Sequence, residues 1–173
     1  MRRVKQLLDE GVIKYAGISR VNNEQIDLAR GIIGSGLVAV QNQFSPSHPD
    51  PEHTMEHCAE LGLAFVCWSP LGGFLDTFDQ SAYDPFRTVA AQRGCSYQRV
   101  VLAWELTRYE RLFTIPSARN PQESTIPSLQ RNFSSLKKSL RCFLADYRFL
   151  FGRFPVLARC DRKMFTVKDI IET

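Results

Sequence analysis

Short apolar runs alternate with amphipathic stretches along the first two thirds of the chain. The apolar runs occupy residues 12–19, 37–44 and 63–68, and a fourth begins at residue 111. Each run is shorter than a typical buried helix and ends at polar residues, proline or glycine, so we predict four β-strands. Because both faces of these strands are apolar, the pattern favours strands that are covered on both sides.

The stretches between the predicted strands carry apolar residues at helical spacing. This spacing predicts helices over residues 3–11, 22–33, 51–60, 84–94 and 96–109. Gly11 and Gly62 stand where helix C-caps are expected, and Ser96 stands where an N-cap is expected. For the second helix, the sequence leaves two N-cap alternatives, Asn22 and Asn23.

Strands that alternate with helices in this way predict an α/β protein with a parallel sheet and helices outside it. In such sheets, ligands bind at the carboxyl-terminal ends of the strands. The residues at the four predicted ends are polar, aromatic or small: Ser19 and Arg20, then Gln41, Asn42 and Gln43, then Trp68 and Ser69, and last Ser117, Ala118, Arg119 and Asn120. We therefore predict a binding site at this edge of the sheet.

The composition is that of an ordinary globular protein, with 44% hydrophobic and 23% charged residues. No apolar run approaches the ~18 residues of a membrane span, and the amino-terminal segment lacks the apolar core of a signal peptide. The five cysteines are odd in number and widely scattered, which is typical of reduced thiols. We therefore expect a cytoplasmic protein without a membrane partner.

The net charge of +4 is unevenly distributed along the chain. Residues 128–173 carry ten Lys and Arg against four Asp and Glu, whereas residues 1–127 carry twelve against fourteen. The basic residues of the first group stand singly among Phe and Leu, without the stripe or motif of a nucleic-acid-binding domain. We predict no nucleic-acid partner.

Five segments with recognisable spacing follow one another along the chain. They are "LLDEGVIKYAGIS", "VAVQNQFSP", "WSPLGG", "CSYQRVVLAW" and "TIPSARNP". In this order they resemble the second half of the aldo-keto reductase family. The resemblance implies a partial (β/α)8 TIM barrel, in which the four predicted strands correspond to strands five to eight, about half of the barrel.

The resemblance also implies that the strand ends bind NADP(H). Ser19 and Gln41 match the residues that hold the nicotinamide carboxamide, and Arg20 stands where the family usually has an asparagine. Trp68 matches the residue whose ring stacks on the nicotinamide. A serine and a glutamine can together satisfy the donors and the acceptor of a carboxamide, and a flat ring can shield one face of the nicotinamide.

Two loops complete the implied cofactor site. The turn that contains Ser69, Leu71 and Gly72 resembles the segment whose backbone approaches the pyrophosphate. The loop of Ser117, Ala118, Arg119 and Asn120 corresponds to the segment that binds the adenosine 2′-phosphate. The lysine usual in that loop is replaced by Ser117, so the preference for NADP over NAD depends on Arg119, whose guanidinium suits a phosphate.

Two of these assignments compete with a purely structural interpretation. An isolated tryptophan in a strand is usually a core residue, but the position of Trp68 before a Ser-Pro-Leu-Gly turn favours the stacking role. Trp104, which stands within a predicted helix, is interpreted as core. His53 and His57 have the spacing of a zinc-binding helix, but Thr54 stands where such motifs have glutamate, and we predict no metal site.

The resemblance implies an NADP(H)-dependent oxidoreductase that reduces small-molecule aldehydes or ketones by hydride transfer. The family's catalytic Asp, Tyr, Lys and His lie in the first half of the barrel, which has no counterpart in this sequence, so we assign no catalytic residue. We expect a fragment that is inactive alone, and the alternative is a non-catalytic fragment that binds the cofactor or a partner. A half barrel also has exposed sheet edges, through which it can self-associate.

The resemblance covers residues about 3–125, and we place the boundary of the barrel domain at residue 127. Residues 128–173 form a divergent basic tail that holds six of the twelve phenylalanines. Such a break in composition is typical of a shifted or alternative carboxy-terminal coding segment, or of an added segment.

Overall fold

The structure, a computed structural model, describes residues 1–50, 52–72, 80–118 and 121. They belong to the unit Met1–Ser124, and the predicted tail of residues 128–173 lies outside them. The strands are β1 (Ala16–Ser19), β2 (Leu37–Gln43), β3 (Ala64–Trp68) and β4 (Leu112–Thr114). The helices are α1 (Arg2–Asp9), α2 (Asn23–Ile33), α3 (Thr54–Glu60), α4 (Asp84–Arg93) and α5 (Tyr97–Leu106).

The four strands form one parallel sheet in the order β1-β2-β3-β4. The register pairs Ser19 with Gln41, Gln41 with Val66, and Val66 with Phe113. Parallel strands in sequential order need crossovers, and because crossovers are right-handed, the connecting helices all lie on the same side of the sheet. The predicted α/β class with a parallel sheet is confirmed.

The two faces of the sheet carry different side chains, because successive residues of a strand point in opposite directions. The covered face, toward the helices, carries the buried residues Val40, Phe65, Cys67 and Leu112. The open face carries residues that are half-buried or exposed, namely Gly17, Ser19, Ala39, Gln41, Gln43, Ala64, Val66, Trp68 and Phe113. The hydrophobic core of the described residues therefore lies between the sheet and the helices.

The predicted first strand begins later than the sequence pattern indicated. Gly11 adopts a positive φ of 70° after α1, and its N–H donates to the carbonyl of Leu8. The N–H of Val12 donates to the carbonyl of Leu7 at 2.9 Å. These two bonds form a Schellman cap, which uses Val12 to end the helix. The strand consequently starts only at Ala16.

Side-chain caps determine where α2 and α3 begin. The carboxamide oxygen of Asn22 accepts from the N–H of Gln25 at 2.9 Å, and the Gln25 side chain accepts from the N–H of Asn22. This capping box decides between the two predicted N-caps in favour of Asn22. For α3, the carboxylate of Asp50 accepts from the N–H groups of Thr54 and Met55, so the described helix starts later than predicted.

Candidate functional site

The end of β1 is joined to β2 by two hydrogen bonds that share one acceptor. The hydroxyl of Ser19 donates to the carbonyl of Gln41 at 2.8 Å, and the N–H of Arg20 donates to the same carbonyl at 3.0 Å. Arg20 has a φ of 57°, in the left-handed region that non-glycine residues rarely adopt. Because the Ser19 hydrogen is already used, this hydroxyl is oriented to accept a hydrogen bond from a ligand.

Asn42 holds the loop that follows β1. Its side-chain oxygen accepts from the N–H of Val21 at 3.1 Å, and its side-chain nitrogen donates to the carbonyl of Val21 at 2.7 Å. The Asn42 side chain thus bonds both backbone groups of Val21, as a residue of a neighbouring strand would do. These two bonds hold the loop against the end of β2. Asn42 lines the groove at this edge of the sheet, where the sequence placed it, and its side chain also positions the neighbouring Arg20.

Trp68 lies at the end of β3 on the open face and is half-buried. The guanidinium carbon of Arg20 lies 5.9 Å from the centroid of its ring, within the range of a cation–π contact. The indole N–H is shielded from solvent and has no hydrogen-bond partner among the described residues. The ring therefore has both an apolar surface and an unused donor at the edge of the sheet.

The turn after β3 also uses a left-handed residue. Ser69 has a φ of 50°, Gly72 has a φ of 91°, and the N–H of Gly72 donates to the carbonyl of Ser69 at 3.0 Å. Leu71 is half-buried within this turn. Strained residues follow directly after the ends of both β1 and β3, and such positions concentrate at ligand sites.

A groove of about 490 Å³ runs along this edge of the sheet. Arg20 and Trp68 line it together with Gln43, His48 and Asp50. The acidic residues Asp50 and Glu52 also line the groove, and Asp50 accepts hydrogen bonds at the start of α3, while Arg20 is the cation beside the ring. The predicted residues Ser19 and Gln41 are not part of the groove wall and lie beside it, on the open face.

The end of β4 reaches the same edge of the sheet. The N–H of Ile115 donates to the carbonyl of Cys67 at 3.0 Å, so the pairing continues beyond the strand. Ser117 and Ala118 follow and are exposed. The predicted phosphate-binding residues Arg119 and Asn120 lie outside the described residues.

Glu105 is a buried carboxyl group that the sequence interpretation missed. Its side chain is fully buried, and neither carboxyl oxygen has a hydrogen-bond partner among the described residues. Burial raises the pKa of Glu105 to about 10, so the group is neutral at physiological pH. A signal was present, because Glu105 stands four residues after the buried Val101 in a helix whose apolar face it shares.

Cys67 is buried on the covered face, and its Sγ lies 2.9 Å from the carbonyl of Phe44, to which it donates. Burial, with the nearby Glu105 as a second cause, raises the pKa of the Cys67 thiol well above its ordinary value. This environment is that of a small buried side chain rather than a nucleophile.

The described ranges hold no group of three or more His, Cys, Asp or Glu side chains arranged for a metal ion. His57, one of the two histidines at zinc spacing, instead contacts Asp27, with 2.8 Å between Nε2 and Oδ1. Within the same part of the chain, no helix has the length and apolar character needed to cross a membrane.

Known proteins with similar sequences identify the family. The model of the aldo/keto reductase family matches residues 1–140, past the boundary predicted at residue 127. The chain is 30% identical over 135 residues to pyridoxine 4-dehydrogenase of Escherichia coli, a match of 78% of this chain and 43% of the relative. It is 29% identical over 107 residues to an uncharacterised oxidoreductase of Schizosaccharomyces pombe, a match of 62% and 33%. The chain belongs to the aldo/keto reductase family, and it spans less than half the length of these relatives.

Solved structures of low sequence identity share the fold. Aldose reductase of Giardia lamblia superimposes with a TM-score of 0.62 at 24% identity, over 73% of this chain and 41% of that one. An aldo-keto reductase of Bombyx mori, solved in complex with NADP, gives a TM-score of 0.56 at 22% identity, over 72% and 41%. These neighbours are (β/α)8 barrels, so the four described strands correspond to part of such a barrel, as predicted.

Proposed function

We propose that this protein binds NADP(H) at the edge of the sheet where β1, β2 and β3 end. The observation that supports this most is the position of Trp68, half-buried on the open face beside a groove and next to a strained turn. Family relatives solved with NADP or NADPH bound support the choice of cofactor. When bound, this cofactor supplies hydride transfer to an aldehyde or ketone, or from the corresponding alcohol.

The residues at this edge suit a nicotinamide. The ring of Trp68 offers a flat apolar surface, and covering one face of a nicotinamide leaves the other face for the substrate. The Ser19 oxygen can accept from the amide N–H₂ of a carboxamide, because its own hydrogen is donated to Gln41. The Gln41 side chain lies on the same open face as Trp68, where it can complete the contacts to the carboxamide.

The charge of Arg20 affects the relative affinity of the groove for the reduced and the oxidised cofactor. The positive charge of Arg20 lies over the Trp68 ring, where an oxidised nicotinamide would bring a second positive charge. The reduced nicotinamide is neutral, so Arg20 favours NADPH over NADP⁺. Because Arg20 is exposed, solvent screens this effect and keeps it small.

We assign the preference for NADP over NAD to Arg119, and this assignment comes from the sequence, since Arg119 lies outside the described residues. A guanidinium forms paired hydrogen bonds with a phosphate, which suits the 2′-phosphate that distinguishes NADP from NAD. We expect NADPH to bind more tightly than NADH to the full chain, and we expect Arg119→Ala to reduce that difference.

This chain alone is proposed to bind the cofactor without catalysing the reaction. Reduction of a carbonyl needs a proton donor near the substrate, such as a tyrosine, and the described residues that line the groove include no tyrosine and no lysine. The second candidate function is a cofactor-binding chain without its own activity. In a longer protein, other segments would supply the proton donor.

Isothermal titration calorimetry with NADPH tests the proposal. We expect Trp68→Phe to bind nearly as well as the native chain, because a flat ring remains, and Trp68→Ala to bind about tenfold more weakly. Trp104→Phe is the matched control, since Trp104 packs in the core against Phe44, and we expect it to leave binding unchanged.

Turnover with NADPH and a panel of aldehydes tests the proposal that this chain alone does not catalyse the reaction. We expect no oxidation of NADPH above background by the purified chain. Activity that disappears in Trp68→Ala would overturn the proposal of a non-catalytic chain while supporting the cofactor site. Equal NADPH affinity in the native chain and Trp68→Ala would overturn the cofactor site.

A further inference from the structure

The groove beside Trp68 is lined by the ends of two paired strands. Gln43 is the last residue of β2 and Trp68 is the last residue of β3, and both line the groove. The pairing of these strands ends at the same two residues. The ladder of backbone hydrogen bonds therefore stops where the groove begins, and the relative position of the two strand ends depends on other contacts.

One such contact is a buried hydrogen bond from Cys67 to the first residue after β2. The Sγ of Cys67 donates to the carbonyl of Phe44 at 2.9 Å, whereas the carbonyl of Trp68 lies farther from the sulfur, at 3.9 Å. Cys67 and Phe44 are both buried, and a buried carbonyl beyond the end of a ladder needs a donor, because leaving it unpaired is costly. Burial raises the pKa of the Cys67 thiol well above its ordinary value, so the thiol keeps its hydrogen and remains a donor.

Phe44 is also held by contacts on its other sides. Its ring stacks on Trp104 of α5, with 5.3 Å between the ring centroids and 16° between the ring planes. The next residue, Ser45, is buried and exchanges two backbone hydrogen bonds of 3.0 Å with His48, which lines the groove. Phe44 thus connects the core to the loop that borders the groove, and the bond from Cys67 connects β3 to the same point.

We propose that Cys67 is a positioning residue of the cofactor site, whose thiol holds the Trp68 end of β3 against the end of β2. Cys67 directly precedes Trp68 in the strand, so its side chain points to the covered face and acts on the ring through the backbone. No bond to sulfur forms or breaks in this role. The consequence for cofactor affinity rests on the proposed binding of NADPH at Trp68.

The alternative is that the Cys67 side chain only fills space in the core. Cys58 on α3 separates the two roles, because it is 0% exposed, as Cys67 is, and has no hydrogen-bond partner among the described residues. Cys58→Ala therefore removes a buried thiol without removing a hydrogen bond, and Cys67→Ala removes both. Cys67→Ser keeps a donor at the same position, since a hydroxyl can replace the thiol.

Time-resolved fluorescence anisotropy measures the positioning of Trp68 without cofactor. In the Trp104→Phe background, Trp68 is the only tryptophan of the chain. We expect faster local motion of the indole in Cys67→Ala, because the strand end loses its connection to Phe44, and native motion in Cys67→Ser and Cys58→Ala. Far-UV circular dichroism checks that each variant is folded. Cys67→Val, which fills the site without a donor, takes the place of Cys67→Ala if that variant does not fold.

Calorimetric titration with NADPH measures the consequence for binding. We expect Cys67→Ala to bind about three- to tenfold more weakly than the native chain, as for the loss of one hydrogen bond, and Cys67→Ser and Cys58→Ala to bind within about twofold of it. Native indole motion or native affinity in Cys67→Ala would overturn the proposal, and so would an equal defect in Cys67→Ser or Cys58→Ala. If the native chain does not bind NADPH, the proposed function fails, and the anisotropy alone then decides whether Cys67 positions Trp68.

Discussion

The covered and open faces of the sheet come from the same four strands but have opposite characters. On the covered face, Phe65 and Cys67 are buried against the helices, and the neighbouring core contains a stack of Phe44 on Trp104 at 5.3 Å. On the open face, the residues of the same strands are half-buried or exposed, and the guanidinium of Arg20 lies 5.9 Å from the ring centroid of Trp68. The difference indicates that the covered face provides stability, while the open face is available for binding.

The largest expected difference between the faces is in stability. Phe65→Ala removes a buried ring and is expected to lower the free energy of unfolding by about 3–5 kcal/mol. Phe113→Ala makes the same chemical change on the open face and is expected to cost about 0.5 kcal/mol or less in the monomer. Urea unfolding at the lowest practical protein concentration measures both. Equal losses would show that the open face is packed in the monomer.

The buried carboxyl of Glu105 gives the covered side a pH dependence. The pKa of Glu105 is about 10 in the folded chain, above its ordinary value of 4.5, so folding takes up a proton between these two values. Stability therefore falls as the pH rises through this window, with a limiting slope of about 1.4 kcal/mol per pH unit.

Urea unfolding at several pH values between 5 and 8 checks this slope, with pH values chosen to avoid the titration of ordinary carboxylates. We expect Glu105→Gln to lose the slope, and Glu110→Gln, a change of an exposed glutamate, to keep it. Parallel pH profiles for the native chain and Glu105→Gln would contradict a neutral, buried Glu105.

The smallest expected effect concerns the charge beside Trp68. Arg20→Gln removes the cation that disfavours NADP⁺, and we expect the ratio of NADPH to NADP⁺ affinity to fall by about two- to fivefold, as for a screened charge pair. Arg108→Gln is the matched control, because Arg108 lies 5.6 Å from the ring centroid of Trp104. Calorimetric titration with both forms measures the ratio. A larger ratio in Arg20→Gln would contradict this role.

Local signals in the sequence predicted most of the fold. The alternation of apolar runs and helical spacing predicted all four described strands, and Asn22 was one of two N-caps considered for α2. The late start of β1 at Ala16 was not predicted, because a Schellman cap depends on which carbonyls the residues after Gly11 reach. Strand limits depend on pairing partners that lie far away in the sequence, so periodicity alone does not determine them.

The candidate site was predicted less completely. The strand ends identified Ser19, Gln41 and Trp68, since parallel strands bring their carboxyl-terminal ends to one edge. The contact of Arg20 with Trp68 and the use of Asn42 to hold a loop depend on side-chain geometry between strands. Glu105 was overlooked, because charged residues are seldom fully buried.

Quenching of tryptophan fluorescence by NADPH tests the central claim most directly. The chain contains two tryptophans, so Trp104→Phe leaves Trp68 as the only reporter, and Trp68→Phe leaves Trp104. We predict that NADPH quenches Trp104→Phe strongly, by direct stacking of the nicotinamide on the indole ring of Trp68, and quenches Trp68→Phe less. Equal quenching in the two variants, or none in Trp104→Phe, would contradict a nicotinamide site at Trp68.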